Sequence, residues 1–225
     1  MSPAFQGPDP EPSRLRLASV DDDTVTRGGL PLLLPMFDFV APFDSVEALL
    51  AQPVHVDVVL LDLELATSLK RTVQGGAAVR AVSDAGYRVL IYTSEMRRDV
   101  LAGCLSLGAR GVVGKTEPID ALEHAVRAVA AGQVVMTQTM VGLVEVADRR
   151  GLIGGLTTRQ REVLSARARG ESFQSIGRRL FISARTVEDH WAQVAIKFAD
   201  YLVDHSAADL ERRLGLGPGD LLADP

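Results

Sequence analysis

The 225-residue chain holds a single cysteine, Cys104, so no disulfide can close within it and a reducing compartment is expected. Its four histidines are scattered away from that cysteine, and no zinc-binding spacing arises. Long apolar runs are missing as well. The stretch from Leu30 to Val40 is broken by Pro31, Pro35 and Asp38, well short of the roughly 18 apolar residues that cross a bilayer. The first residues, MSPAFQGPDPEPS, contain four prolines but neither a basic cluster nor an apolar core, which predicts a loose tail over 1–13 rather than a secretory leader. A cytoplasmic protein with no membrane contact is expected.

What is present is globular in character. Apolar residues make up 47% and charged residues 24%, far from a disordered composition, and the length accommodates two domains. The net charge of −5 is unevenly spread. Residues 1–150 carry 14 basic and 19 acidic side chains, residues 151–199 carry 8 and 4, and residues 200–225 carry 2 and 6. A basic island between acidic regions is the electrostatic outline of a small nucleic-acid-binding module.

From Leu15 to Ala131 short apolar runs alternate with helical stretches. The runs are LRLASV (15–20), DFVA (38–41), VDVVLLDL (56–63), YRVLIYTS (87–94) and RGVVG (110–114), near-continuous and β-branched as in strands buried on both faces. Helices are expected over Thr24–Met36, Ser45–Ala51, Thr67–Ala85, Met96–Leu107 and Pro118–Ala131. The first is kinked or shortened by Gly28, Gly29, Pro31 and Pro35. Five alternations imply an α/β doubly wound, five-stranded parallel sheet over 14–131. Residues 132–155 read as a linker with a helix at Gln138–Arg149, followed by a small all-α domain over 156–199. In it Thr157 and Gln160 form a capping box for a helix that Gly170 closes, and Ser172 and Ser183 cap two more. A last helix, AADLERRL, is capped by Ser206 and ended by Gly215, within a C-terminal segment of 200–225 whose final residues form a tail.

In open α/β sheets ligands gather at the carboxyl ends of the strands. Those ends collect Asp21, Asp22 and Asp23 after the first run, Asp62 in the third, Thr93 in the fourth and Lys115 after the fifth. Clustered carboxylates repel unless a hard cation neutralises them, so Mg2+ held by Asp21, Asp22 and Asp62 is expected. Asp62 would then serve as nucleophile toward a phosphoryl donor, with Thr93 and Lys115 contacting the phosphoryl oxygens.

This constellation resembles the receiver domain of two-component response regulators. SVDDDTVTRGGL is similar to the acidic turn of that family and VDVVLLDLEL to its phosphoacceptor strand. YRVLIYTS and GARGVVGKTEPIDALEHAVRAVAAG are similar to its Thr/Ser and Lys strands. The resemblance covers roughly 14–131 and implies a flavodoxin-like strand order, Asp62 as phosphoacceptor and a partner sensor histidine kinase. Two features depart from the family: ELATSLKRTVQGG lacks the Met-Pro and Asp-Gly that often follow the phosphoacceptor, and Val112 or Val113 stands where a switch aromatic is common. The loop that positions the phosphoryl group is thereby altered.

The segment LTTRQREVLSARARGESFQSIGRRLFISARTVEDHWAQVAIKF carries a second pattern. Val187, Trp191, Val194 and Phe198 form one apolar stripe, which places Trp191 in the core and His190 at its margin. The opposite face presents Arg185, Asp189, Ala192 and Ile196, flanked by Glu188 and Gln193, and suits the major groove. Arg185 would grip phosphate or guanine, Glu188 or Asp189 a cytosine amino group, and Gln193 an adenine; Ser183 and Thr186 join this DNA-contacting set. Arg159, Arg178, Arg179 and Lys197 are candidate phosphate contacts. LTTRQREVL, ARGES, SIGRRLFIS and RTVEDH closely resemble the helix-turn-helix of the LuxR-type output domain in NarL/FixJ response regulators, over about 155–198. By position Tyr201, Leu202, Leu210 and Leu214 resemble that family's fourth helix, which commonly forms a dimer contact. The resemblance implies a homodimer on double-stranded promoter DNA and no enzyme. Two other readings stay open. One is an atypical regulator whose acidic pocket is vestigial or ligand-controlled. The other is a phosphatase-like enzyme using Asp62, against which stands the lack of a Gly-rich phosphate loop, a substrate lid or a second catalytic acid.

Overall fold

The computed structural model describes residues 14–65, 73–95, 97–136 and 138–205, with 209, 212, 213 and 215 beyond them. Five strands, β1 (Arg16–Val20), β2 (Asp38–Phe43), β3 (Val58–Leu61), β4 (Val89–Thr93) and β5 (Gly111–Gly114), form one sheet in the order β2-β1-β3-β4-β5. Every pairing is parallel. Period-two alternation sorts the side chains. Leu17, Val58, Leu60, Leu90 and Val113 meet α1 (Thr24–Leu33) and α5 (Ile119–Ala130) on one face. On the other, Ala18, Val20, Val59, Leu61, Val89, Ile91 and Val112 meet α2 (Val46–Ala51), α3 (Gly75–Asp84) and α4 (Arg98–Ser106).

The five strands and the helices expected up to residue 199 are present, most with shifted bounds. Helix α1 stops at Leu33, and its C-cap amide bonds Leu30 O. The expected helix from Thr67 is corrected: Val73 and Gln74 are not helical and α3 starts at Gly75. Val73 N is held instead by Glu47 Oε1 at 2.8 Å and Gly75 N by Leu63 O at 3.1 Å, contacts that no local pattern encodes. Residues 66–72, the tail over 1–13 and nearly all of the expected helix over 206–214 lie outside the described residues.

Residues 132–155 are more than a linker. Val135 runs beside β5, accepting from Val112 N at 3.2 Å and donating to Arg110 O at 2.9 Å. Helix α6 (Gln138–Arg149) has the bounds read from the sequence, and its Met140, Val141, Val144 and Ala147 are wholly buried in the same cluster as α4. Ser165 and Arg161 of α7 (Thr158–Ala168) bond Glu145 and Asp148 of α6. Two helices complete the chain, α8 (Phe173–Leu180) and α9 (Ala184–Asp204). The division drawn after residue 199 falls inside α9. Tyr201 and Leu202, expected in a separate helix, sit on α9 and are buried in the cluster that includes Leu101 and Leu105 of α4. No described helix is long and apolar enough to cross a membrane.

Candidate functional site

Each acidic-pocket residue is delivered by a strand end. Asp21 follows β1 and is anchored by its N–H to Phe43 O at 3.1 Å; Asp62 follows β3, its N–H bonding Val20 O at 2.9 Å. Lys115 follows β5, and its N–H bonds Thr93 O at 2.8 Å. These ladders bring together groups up to 94 positions apart. Lys115 Nζ lies 2.8 Å from Asp21 Oδ2 and 2.7 Å from Asp62 Oδ2, with both carboxylates buried. Thr93 is fully buried, and its Oγ1 accepts from Glu95 N at 3.1 Å, leaving its own proton to donate.

Two carboxylates sharing one ammonium leave net negative charge out of water. Burial accordingly raises the proton affinity of Asp21, although its hydrogen bonds from Lys115 and Asp23 and the Lys115 charge pull the other way. Burial alone would lower the Lys115 value; its bonds to Asp21 and Asp62, with their charges, overcome this and raise it. Ligand atoms of Asp21, Asp22 and Asp62 all lie within 4.8 Å of one another. An all-oxygen, net-negative donor set of this kind fits a hard divalent cation such as Mg2+.

Three residues support the pocket: Asp23, already in the strand-end set, and Arg27 and Glu117, which carry no signal in the sequence. Asp23 caps α1 by accepting from Val25 N, and Asp21 Oδ1 accepts from Asp23 N at 2.8 Å, so the acidic turn also starts the helix. Arg27 donates to Asp21 O at 2.5 Å. Glu117 Oε1 accepts from Gly114 N at 2.9 Å, fixing the turn that carries Lys115. At the switch position Val112 and Val113 are both buried, one on each sheet face.

The second group lies on α7, α8 and α9. The capping box of Thr157 and Gln160 is formed in both directions, Ser172 accepts from Ser175 N, and Ser183 accepts from Thr186 N at 3.0 Å. Val187, Trp191, Val194 and Phe198 are buried as the stripe requires, and His190 is half-buried at its edge. The α8–α9 turn depends on Gly177, missed in the sequence: a Cβ there would stand 2.8 Å from Ile182 O. Phe181 takes the left-handed conformation in that turn, at φ 57°.

The expected DNA contacts divide into free and committed side chains. Arg185 and Gln193 are exposed, Arg185 loosely paired with Asp189 at 3.5 Å. Arg178 is exposed in the last turn of α8. Arg159 pairs with Glu162 at 2.7 Å, and Arg179 bonds Glu171 at 3.1 Å. The ammonium of Lys197 donates to Gly155 O at 2.5 Å and to Gln160 Oε1 at 3.1 Å, tying α9 to the start of α7. Glu188 and Arg185 line a cleft of about 660 Å³ with His124, Arg127 and Ala128 of α5 and Ala131 at its C-cap.

Residues 155–199 match the family model for bacterial regulatory proteins of the luxR family. A probable transcriptional regulatory protein, SgaR of Hyphomicrobium methylovorum, is 32% identical over 188 residues, covering 80% of this chain and 85% of that protein. Response regulator RamR of Streptomyces coelicolor is 29% identical, covering 81% and 89%. Among solved structures, RcsB of Salmonella enterica serovar Typhimurium bound to promoter P1flhDC superposes with a TM-score of 0.53 at 18% identity, covering 85% of this chain and 98% of that one.

Proposed function

Since the chain belongs to the family of response regulators that join a receiver domain to a LuxR-type helix-turn-helix and is a DNA-binding transcriptional regulator, we propose that phosphoryl transfer to Asp62 controls its output. The donor is a phosphohistidine of a partner sensor kinase. The observation that carries this reading is the Lys115 ammonium shared by Asp21 and Asp62, with Thr93 buried at the neighbouring strand end.

In the proposed step an Asp62 carboxylate oxygen attacks phosphorus, forming a P–O bond as the donor P–N bond breaks. Lys115 exchanges one carboxylate for a phosphoryl oxygen, so its charge follows the developing negative charge. Thr93 donates its free hydroxyl proton to another oxygen. Asp21 and Asp22, with Asp62, would hold Mg2+, which when bound supplies the positive charge that lets a dianionic phosphoryl group approach carboxylates.

The proposed output is a homodimer that lays α9 in the major groove. Arg185, Glu188, Asp189, Gln193, Ser183 and Thr186 address bases and adjacent phosphates, and Arg178, Arg159 and Arg179 add charge. Lys197 adds charge as well, because its ammonium is bonded only to the neutral oxygens of Gly155 and Gln160. With α5 facing Arg185 and Glu188 across the narrow cleft, a duplex reaches α9 only after the two halves part. Transfer to Asp62 would favour parting. A second reading is favoured by Val112 and Val113: without an aromatic at the switch position, another input could part them.

The test is to incubate wild type and Asp62→Asn with a small phosphodonor, with and without Mg2+, and weigh both intact. A single phosphoryl gain in wild type only, and only with Mg2+, is expected. Equal gain in both, or none in either, sinks the phosphoacceptor assignment.

A further inference from the structure

The α8–α9 turn carries a residue that its own backbone does not favour. Phe181, the C-cap of α8, sits at φ 57° and ψ 41°, and its N–H reaches Gly177 O, as does that of Ile182 at 3.0 Å. This reversal leaves Ser183 placed to cap α9. Glycine and asparagine enter the left-handed region readily, whereas a phenylalanine there is strained. Phe181 is the one non-glycine residue of positive φ among the described residues. Nor does the fold use its ring. It is 94% exposed, the most of the seven large apolar side chains exposed among the described residues, and the only aromatic one.

Backbone strain and a bare ring thus coincide where α9 begins, and strained residues of this kind concentrate at ligand contacts. Phe181 forms one wall of an open hollow of about 590 Å³, whose lining includes Gln174 and Arg178 of α8 and Ser183 and Ala184 at the start of α9. Among the described residues that line it, the one charge is the exposed guanidinium of Arg178. The hollow therefore presents an apolar face beside a cation, with no carboxylate, which matches a deoxyribose beside its phosphate. Ser183 and Ala184 join it directly to Arg185, exposed in the first turn of α9.

We infer that Phe181 packs on the DNA backbone at the edge of the major groove, its ring against a deoxyribose whose phosphate meets Arg178. Sugar and phosphate contacts fix how a reading helix lies on the duplex and carry no sequence information. A protein partner would also cover the ring, but a lone cation with no carboxylate beside it favours a polyanion. Ring against sugar excludes water and releases no counterion, so it adds affinity that salt does not screen, whereas Arg178 displaces a condensed cation. The turn holds the ring outward before DNA arrives, so little side-chain freedom is lost on contact. This rests on the placing of α9 in the groove proposed above and adds a contact absent from the set named there.

Anisotropy of labelled operator and random duplexes, titrated with the full chain with and without phosphodonor, tests it. Phe181→Asn suits the left-handed turn, so it keeps or raises the thermal midpoint of the free protein. It weakens binding to both duplexes about tenfold. The slope of log affinity against log salt stays that of wild type, while Arg178→Ala lowers it by about one unit. Phe181→Tyr retains the ring and the affinity. If Phe181→Asn binds both duplexes like wild type, the ring touches no DNA and the inference falls, while the groove reading stands so long as Gln193→Ala still loses operator affinity. If Gln193→Ala and Arg178→Ala are silent too, the placing of α9 is what fails. A Phe181→Asn loss confined to operator means that the ring reads a base, and a lowered thermal midpoint means that it serves the fold; either overturns the backbone contact. Unchanged DNA binding with lost transcription by added RNA polymerase assigns the ring to a protein partner and overturns it as well.

Discussion

Lys115 Nζ stands 2.7 Å from Asp62 Oδ2, although 53 positions separate the two residues. The lysine proton is held more tightly than usual because two carboxylates share it, against a burial that favours its loss. A raised folded-state value means that the stabilisation is fully present below the ordinary value of 10.5 and is lost as pH rises through the folded one. The stability of wild type toward urea should therefore fall above roughly pH 10.5, more steeply than that of Lys115→Met. Parallel pH profiles for the two would show that the ion pair adds nothing to the fold.

Asp21 has the opposite consequence at neutral pH. Its raised value, caused first by burial, means the folded state gains stability as pH falls through that value; ionised Asp21 is a cost above it. Asp21→Asn should raise stability at neutral pH and abolish further stabilisation by added Mg2+. Denaturation midpoints with and without the ion check both. A destabilised variant, or one that still responds to Mg2+, contradicts the assignment of Asp21 to the ion site.

Gly177→Ala places a methyl 2.8 Å from the backbone oxygen of Ile182. Backbone cannot swing away as a side-chain tip can, so a loss of about 1–3 kcal/mol is expected. Trp191→Ala, emptying a buried site under Arg167, should cost about 3–5 kcal/mol. Both should lose DNA binding by loosening the α8–α9 pair, seen as lost near-ultraviolet dichroism and not as altered base preference.

Gln193 and Arg178 should separate specificity from affinity. Gln193→Ala should cost roughly 1–3 kcal/mol on operator DNA alone. Arg178→Ala should weaken operator and random DNA alike and lower the salt slope by about one unit. Equal losses on both DNAs for both variants would mean that the groove-facing side of α9 is misassigned.

Much of the fold was legible because its signals are local. The Thr157–Gln160 capping box, the Ser172 and Ser183 caps, the bounds of α6 and the Val187–Phe198 stripe each depend on residues within a few turns of one another. The strand-end set of Asp21, Asp62, Thr93 and Lys115 was legible because parallel strands alternating with helices place their carboxyl ends on one edge.

Long-range partners were not legible. The start of α3 depends on Glu47 and Leu63, and the fate of the Lys197 charge on a carbonyl 42 positions earlier. Tyr201 and Leu202 join α9 and the α4 cluster, where a separate helix with a dimer contact was expected. The sequence by itself determined element type, strand-end chemistry and the core side of the reading helix, since backbone propensity and side-chain period act over a few residues. Only the tertiary structure decided which charges stay free, where α9 ends and what α5 faces, because an ion pair or buried contact needs two groups that only packing brings within a few ångströms.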